Sequence, residues 1–323
     1  MMNGPVWMKP KKRAILNEVL SRKPDDPLYH YTTQKGLLGV IKDRQIWATH
    51  TQYLNDRREF LHAVDLVREE IKRLLDGAPD SNPNQPHHAA REESLARMQA
   101  AVSKSPQSIN VCVCSFSEER DSLSQWRAYG GPSGFAVGFS NQVLRAATEK
   151  QRWFLAPCIY DPAAQRNLIR ALVEEVLEEN LGGPLSEEIE ELHADTSVAV
   201  MDRYVESILR GSGGNLLPYL YRYAPILKDE SFKEEREWRI ISRPVSARRL
   251  DYREGRSLII PYYKLPLCED DQNLELNEVV IGPTPDADRS MNSLTSVLLS
   301  QKVSMQGTFE INVTVSKVPY RDW

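Results

Sequence analysis

Short strand patterns occupy both ends of this chain of 323 residues, and long helical patterns lie between them. Leu28–Thr32 predicts an early strand, and residues 236–242 predict the first of several late strands. Separate runs of strands and helices are typical of α+β domains, whereas regular alternation would favour a parallel sheet. We therefore predict an α+β fold whose core is a mixed or antiparallel sheet, either continuous or split, with a helical insertion.

The order of these patterns predicts four segments. They are an N-terminal extension, the first half of the α+β domain, an acidic helical insertion and the second half of the domain: residues 1–27, 28–160, 161–230 and 231–323. Gly, Pro, Asn and Ser accumulate at about residues 76–90, which predicts a mobile loop in the first half. The insertion is acidic because eight glutamates lie between Glu174 and Glu191.

Composition and charge argue against several classes of protein. The formal net charge of −4 gives no general attraction to nucleic acid or to anionic membranes. No apolar run approaches the ~18 residues of a membrane span, and no apolar segment follows the basic N-terminal cluster. Four cysteines are too few for a disulfide framework in a chain of this length, so we expect buried free thiols. We expect a cytoplasmic protein with no membrane partner.

Residues 232–239 concentrate charged side chains beside an apolar strand pattern. If this run is extended, Glu235, Glu237 and Arg239 share one face, because a strand alternates its faces. A carboxylate beside a guanidinium stays ionised and can stabilise positive charge in a transition state. The run is also compatible with an edge strand whose outer face carries salt bridges.

Further candidates are polar and aromatic residues at the ends of predicted strands and helices. His30 and Thr32 share one face of the first strand, with Tyr31 on the other. The remaining candidates have hydroxyl, amide or aromatic groups, and they are Tyr53, Asn55, Ser115, Ser117, Trp126 and Tyr129. Each also has a structural interpretation, such as a turn, a helix N-cap or core packing.

The order of these motifs resembles one bacterial family, the domain of unknown function 2971. The resemblance spans roughly Leu28 to Arg321, which is nearly the whole chain. The motifs that carry it are residues 29–32, 54–56, 114–117, 126–130, 134–139, 232–239, 280–283 and 316–321.

A second resemblance is to the ADP-ribosyltransferase superfamily, including its DNA-targeting toxin branch. It rests on a strand with His-Tyr-Thr, followed by a short helix and a second strand. The resemblance implies that His30 and Thr32 occupy the position that contacts the nicotinamide ribose. It also implies that a late-strand glutamate, Glu237 or Glu235, holds a ribose hydroxyl.

The same resemblance implies NAD as the substrate and no metal. An aromatic residue would stack on the nicotinamide, and Tyr53, Trp126 and Tyr129 are all candidates. Arg239 would orient Glu237 or bind a phosphate through two hydrogen bonds.

The functional hypothesis is an ADP-ribosyltransferase or an NAD glycohydrolase that cleaves the nicotinamide–ribose bond, acting as a toxin or a defence effector. The acceptor would be protein, nucleic acid, a small molecule or water, and the sequence does not specify the oligomeric state. One alternative is a metal-dependent nuclease with Asp56, Glu59, Glu235 and Glu237 as ligands. Another is a non-catalytic sensing or protein-binding module that uses the acidic helices.

Overall fold

The protein is described by a computed structural model that covers residues 11–24, 27–54, 58–77, 86–103, 110–181, 216–305 and 312–320. Its helices, numbered in chain order, are α1 (Lys11–Ser21), α2 (Gln34–Asp43), α3 (Arg58–Asp76), α4 (Pro86–Ser103), α5 (Leu123–Gln125), α6 (Asn141–Gln151), α7 (Pro162–Asn180), α8 (Leu216–Tyr223) and α9 (Ala287–Ser300). Its strands are β1 (Leu28–Thr32), β2 (Gln45–His50), β3 (Cys112–Ser117), β4 (Phe135–Phe139), β5 (Phe154–Pro157), β6 (Glu237–Ile241), β7 (Asp251–Glu254), β8 (Ile259–Pro266), β9 (Leu274–Leu276), β10 (Glu278–Ile281), β11 (Val303–Met305) and β12 (Val313–Val315).

A mixed sheet of ten strands organises the described part of the chain. Eight strands follow the order β12-β10-β4-β1-β3-β2-β8-β7, and β6 pairs with β3 and with β5. The pair β10–β12 is parallel, and the other pairs in this sheet are antiparallel. A short parallel pair, β9–β11, lies apart from it. The predicted α+β fold with a mixed sheet core is confirmed.

The sheet splits where β1 and β2 share one edge of β3. β6 occupies the other edge along residues 113–117. On the shared edge, β1 pairs at Ser117, whereas β2 pairs at Cys112 and Val113. Residues 114–116 therefore lie between two strands that diverge from each other. A cleft can open at this point without removing any strand from the sheet.

Apolar side chains cover both faces of the sheet. On one face, α1, α3, α4, α7 and α8 pack together in a core that includes Val113 and Ile241. On the other face, α2, α6 and α9 pack on residues such as Phe116, Trp238 and Ile240. Because side chains alternate along β6, Glu237 and Arg239 share the face of Ile241. They point towards the layer that contains α3 and α7.

Side-chain caps define where three helices begin. The N-cap residues Thr33, Asp161 and Asp286 accept hydrogen bonds from backbone N–H groups in the first turns of α2, α7 and α9. Pro162 follows Asp161 at the first helical position, where its missing N–H costs nothing.

The predicted loop at about residues 76–90 is wrong at its C-terminal end. α4 begins at Pro86, and Leu95 and Met98 on this helix are buried in the core. Polar residues in its first turns concealed this helix in the sequence. Residues 78–85 and 182–215, which belong to the predicted loop and insertion, lie outside the described residues.

The four cysteines are free thiols, and three of them are buried, as expected. Within the described ranges, no helix is both long and apolar enough to cross a membrane.

A buried carboxylate joins the loop after β3 to the β10 half of the sheet. Glu278 is only 8% exposed, and Arg120 donates to its two oxygens at 2.8 and 2.7 Å. The Tyr29 hydroxyl donates to the same carboxylate at 2.7 Å. Burial alone would raise the pKa of Glu278, but the hydrogen bonds from Arg120 and Tyr29 outweigh burial and lower it.

Replacing Glu278 by Gln should lower the free energy of unfolding by about 1–3 kcal/mol near neutral pH, because it weakens a charge-assisted network. A lowered pKa contributes stability above the unfolded-state pKa of about 4.3, and this contribution disappears as the pH falls. The difference between wild type and Glu278→Gln should therefore shrink below about pH 4. Urea unfolding at several pH values measures this, with exposed Glu234→Gln as the control. A difference that is constant with pH would contradict it.

Candidate functional site

A cleft of about 1610 Å³ opens at the split between β1 and β2. This volume exceeds the ~300–1,000 Å³ that is usual for small-molecule sites. The cleft brings together most of the residues that the sequence singled out: His30, Tyr31, Thr32, Tyr53, Ser115, Tyr129, Glu235, Glu237 and Arg239.

A buried cluster of four charges lies on one wall of this cleft. The Lys228 ammonium donates to both Glu235 and Glu237. The Arg239 guanidinium binds Glu237 through Nε–Oε1 at 2.7 Å and Nη2–Oε2 at 3.0 Å, and its Nη1 donates to the Pro225 carbonyl at 2.6 Å. Two cations therefore neutralise two carboxylates.

The backbone around Glu237 explains how the two carboxylates meet. Glu230–Glu235 forms a 3₁₀ helix, and Arg236 adopts a left-handed conformation with φ 42° before β6 begins at Glu237. The strand predicted at residues 236–242 corresponds to β6, but the extended interpretation that put Glu235 on the strand face of Glu237 and Arg239 is wrong. The Asp229 side chain caps the 3₁₀ helix by accepting from the Ser231 N–H at 2.9 Å, which favours this turn over an extended chain.

The start of β6 is fixed by contacts with the segment that follows β5. The Glu237 N–H donates to the Tyr160 hydroxyl at 2.8 Å, and the Glu237 carbonyl accepts from the Cys158 N–H at 2.8 Å. The Glu237 backbone is therefore fixed, and its carboxylate is 4% exposed. By contrast, the Glu235 side chain is 13% exposed, which makes it the more accessible of the two carboxylates.

Glu237 and Lys228 keep their charges at neutral pH. Burial would raise the pKa of Glu237, but Arg239 and Lys228 outweigh burial and hold it at about 2. Burial would lower the pKa of Lys228, but the charge of Glu237 raises it above its ordinary value. Burial raises the pKa of Tyr129 to about 12, and the charges of Glu235 and Glu237 add to this effect. Tyr129 is therefore a neutral aromatic group within electrostatic reach of both carboxylates.

His30 lies at the split, on β1, which pairs with the edge of β3 opposite to β6. Its Nδ1 lies 2.9 Å from the Ser115 carbonyl, which can only accept, so Nδ1 carries the hydrogen and Nε2 has the free lone pair. Burial lowers the pKa of His30, which favours the neutral ring. By strand alternation, His30 shares the face of Leu28, whereas Glu237 lies on the opposite face of the sheet. Both residues line the cleft, but they approach it from opposite sides.

Trp126 does not line the cleft, so the prediction that it stacks on a ligand there is wrong. It is 1% exposed, its Nε1 donates to Asp121 at 2.7 Å, and its ring packs against Tyr31 at a centroid distance of 4.6 Å. Tyr31 does line the cleft, but its hydroxyl donates to the Glu119 carbonyl at 2.6 Å. The indole was predicted as a ligand contact because one helical turn relates it to Tyr129, and spacing alone does not show which side faces the core.

Ser117 also lies outside the residues that line the cleft. It is 1% exposed, its hydroxyl donates to the Glu235 carbonyl at 2.7 Å and it accepts from the Glu119 N–H at 3.0 Å. Its predicted role as a ligand contact is therefore wrong, and it fixes the 3₁₀ helix instead. Asn55 and Asp56 lie outside the described residues, as does the side chain of Glu59.

The sequence interpretation missed two features of the cleft. Lys228 is the centre of the charge cluster, but a single lysine in a sequence gives no sign of burial. The second feature is a pair of rings that line the cleft, Trp47 and Tyr262, which pack in a tilted arrangement with ring centroids 4.4 Å apart and an interplanar angle of 32°. The alternation of Ile46 and Ala48 with Trp47 would have placed the indole on the face opposite those two buried residues.

The fold and the cleft define the class as an α+β protein with a split, largely antiparallel sheet and a buried charge cluster beside the split. A family model described as "Protein of unknown function (DUF2971)" matches residues 125–240. This confirms the resemblance to that family over a segment that contains Lys228, Glu235, Glu237 and Arg239. No curated protein and no solved structure matches the chain. The resemblance to ADP-ribosyltransferases stays a prediction.

Replacing Lys228 by Met should lower the free energy of unfolding by about 3–5 kcal/mol, because it leaves a buried carboxylate pair without its bridging cation. The matched control is Lys264→Met, since Lys264 pairs with Asp251 at 3.2 Å on the surface, where such pairs contribute about 0–1 kcal/mol. Urea unfolding of both variants measures the difference. Equal losses in the two variants would show that the cluster does not depend on Lys228.

Proposed function

We propose that the cleft is the active site of an enzyme that cleaves the nicotinamide–ribose bond of NAD, as an ADP-ribosyltransferase or an NAD glycohydrolase. The observation that carries the proposal is the pair of carboxylates, Glu235 and Glu237, that share the Lys228 ammonium on the wall of a cleft that aromatic side chains also line. The size of the cleft is sufficient for a dinucleotide.

The chemistry of the bond explains why such a pair is useful. Cleavage of a glycosidic bond produces positive charge on the ribose, as in an oxocarbenium ion. A carboxylate already fixed beside the sugar stabilises that charge without reorganising at the moment of reaction. The low pKa of Glu237, about 2, keeps the negative charge present at any physiological pH.

The two glutamates have different roles in this proposal. Glu237 accepts three hydrogen bonds, from Lys228 and from two nitrogens of Arg239. Glu235 is more accessible and accepts from Lys228 at one oxygen, so its other oxygen is available for a ribose hydroxyl. We therefore assign the contact with the ribose to Glu235, and we assign to Glu237 the orientation of both cations and part of the electrostatic field.

Tyr129 is the aromatic residue that best fits the nicotinamide. It lines the cleft, and its hydroxyl interacts electrostatically with Glu235 and Glu237. Tyr53 also lines the cleft, but its ring packs edge-on against His50, at a centroid distance of 5.4 Å. A ring stacked on Tyr129 would place the adjoining ribose near the carboxylates.

The acceptor distinguishes the two forms of the proposal. Transfer to a protein or a nucleic acid would fit a toxin or a defence effector, whereas transfer to water would make the protein an NAD glycohydrolase. Both begin with the same bond cleavage, so the same wall of the cleft serves either.

The metal-dependent nuclease is less compatible with the geometry. Its proposed ligands include Glu235 and Glu237, and the Lys228 ammonium occupies the position between them where a divalent ion would bind. Among the side chains that the structure describes, no group of three or more His, Cys, Asp and Glu is arranged to hold a metal. For the non-catalytic binding module, the acidic residues at 182–215 lie outside the described ranges, and no contact in the structure favours it.

The test is nicotinamide release from NAD by the purified protein, measured by chromatography. Glu235→Gln should lower the rate by about 10²–10³-fold, because it removes the charge that stabilises the ribosyl cation. Glu234→Gln is the matched control, since Glu234 is exposed and belongs to the same 3₁₀ helix, and it should keep the wild-type rate.

Glu237→Gln should lower the rate to a similar extent, with circular dichroism as the check that the fold is retained. Wild-type protein that releases no nicotinamide, or full activity in both the Glu235 and Glu237 variants, would contradict the proposal. Cleavage of DNA or RNA that EDTA abolishes would support the nuclease instead.

A further inference from the structure

His62 lies on the same cleft, but neither the sequence motifs nor the charge cluster gives it a role. It belongs to α3, its side chain is exposed, and it lines the cleft together with Asp229 and Glu235. α3 thus brings an imidazole to the cleft, and the 3₁₀ helix Glu230–Glu235 brings the Glu235 carboxylate to it.

A buried glutamine fixes the tautomer of His62. Gln165 is 2% exposed, and its amide nitrogen donates to the carbonyl of Ile159 at 2.6 Å and to that of Lys228 at 2.8 Å. Both partners can only accept, so the amide cannot be turned around. The Gln165 oxygen lies 2.8 Å from His62 Nε2 and must accept from it. His62 therefore carries its hydrogen on Nε2, and Nδ1 has a free lone pair.

The same glutamine ties His62 to the charge cluster. One of its two acceptors is the backbone carbonyl of Lys228, and the side chain of Lys228 bridges Glu235 and Glu237. Two hydrogen bonds therefore separate the imidazole from the residue at the centre of the cluster.

We propose that His62 is the general base for the acceptor, taking a proton at Nδ1 from the water or hydroxyl that attacks the ribose. This inference rests on the proposed function. The C1′–N bond breaks and its electron pair leaves with neutral nicotinamide. A lone pair of the acceptor oxygen forms the new bond to C1′, and the proton of that oxygen moves to His62. The exposed ring then returns the proton to solvent.

The activity test compares His62→Gln with wild type in nicotinamide release from NAD. The variant should be slower by about 10²-fold, which is the lower end of the usual effect of a general base. The control is His88→Gln, because His88 lies on α4, pairs with Glu92 and does not line the cleft.

Azide separates a base from a structural residue. Azide attacks without losing a proton, so adding it should restore the rate of His62→Gln to within a few-fold of wild type. A slow variant that azide does not rescue would assign His62 a structural role and overturn the inference.

A second measurement needs no activity. Nitrogen-15 imidazole spectra of the full chain, assigned through His62→Gln, should show His62 protonated at Nε2 only, and a hydrogen on Nδ1 at neutral pH would overturn the inference. If wild type releases nicotinamide and His62→Gln matches its rate, the base assignment alone fails. If wild type releases none, the proposed function fails, and this inference fails with it.

Discussion

The candidate site depends on the ion pairs that the Lys228 ammonium makes with Glu235 and Glu237. Without the ammonium, Glu235 and Glu237 would repel each other on a wall that is largely closed to water, and Glu237 would lose one of the two cations that hold its pKa below the ordinary value. The Lys228 backbone carbonyl also holds Gln165, so one residue fixes the carboxylates through its side chain and His62 through its main chain. Glu235, Glu237 and His62 are thus parts of one hydrogen-bonded unit.

The split sheet supplies the space for this unit. β3 pairs with β6 along one edge, and it divides its other edge between β1 and β2. Glu237 and Arg239 therefore lie on a strand that is paired on both edges, while the opening beside them costs few backbone hydrogen bonds. The 3₁₀ helix before β6 adds Glu235, and the divergence of β1 and β2 opens the cleft to all three side chains.

The sequence predicted those parts of the structure that depend on local pattern. Strand alternation placed Glu237 and Arg239 on one face, and the strand patterns at residues 28–32 and 236–242 correspond to β1 and β6. It failed where long-range packing decides the outcome. Trp126 is buried in the core, where its indole donates to Asp121, and the Ser117 hydroxyl donates to the Glu235 carbonyl. Lys228 is important because of the carboxylates that it contacts only after folding. The turn at Arg236 was missed because a left-handed arginine has no sequence signature.

The neutral charge cluster has a consequence for how a substrate reaches the cleft. Its two cations cancel its two carboxylates, and among the residues that the structure describes, the lining carries four basic and five acidic residues. Such a balanced surface exerts little long-range pull on an anionic dinucleotide, so encounter would proceed by ordinary diffusion, without electrostatic steering. The association rate should therefore change little with ionic strength, and selectivity would rest on contacts made after entry.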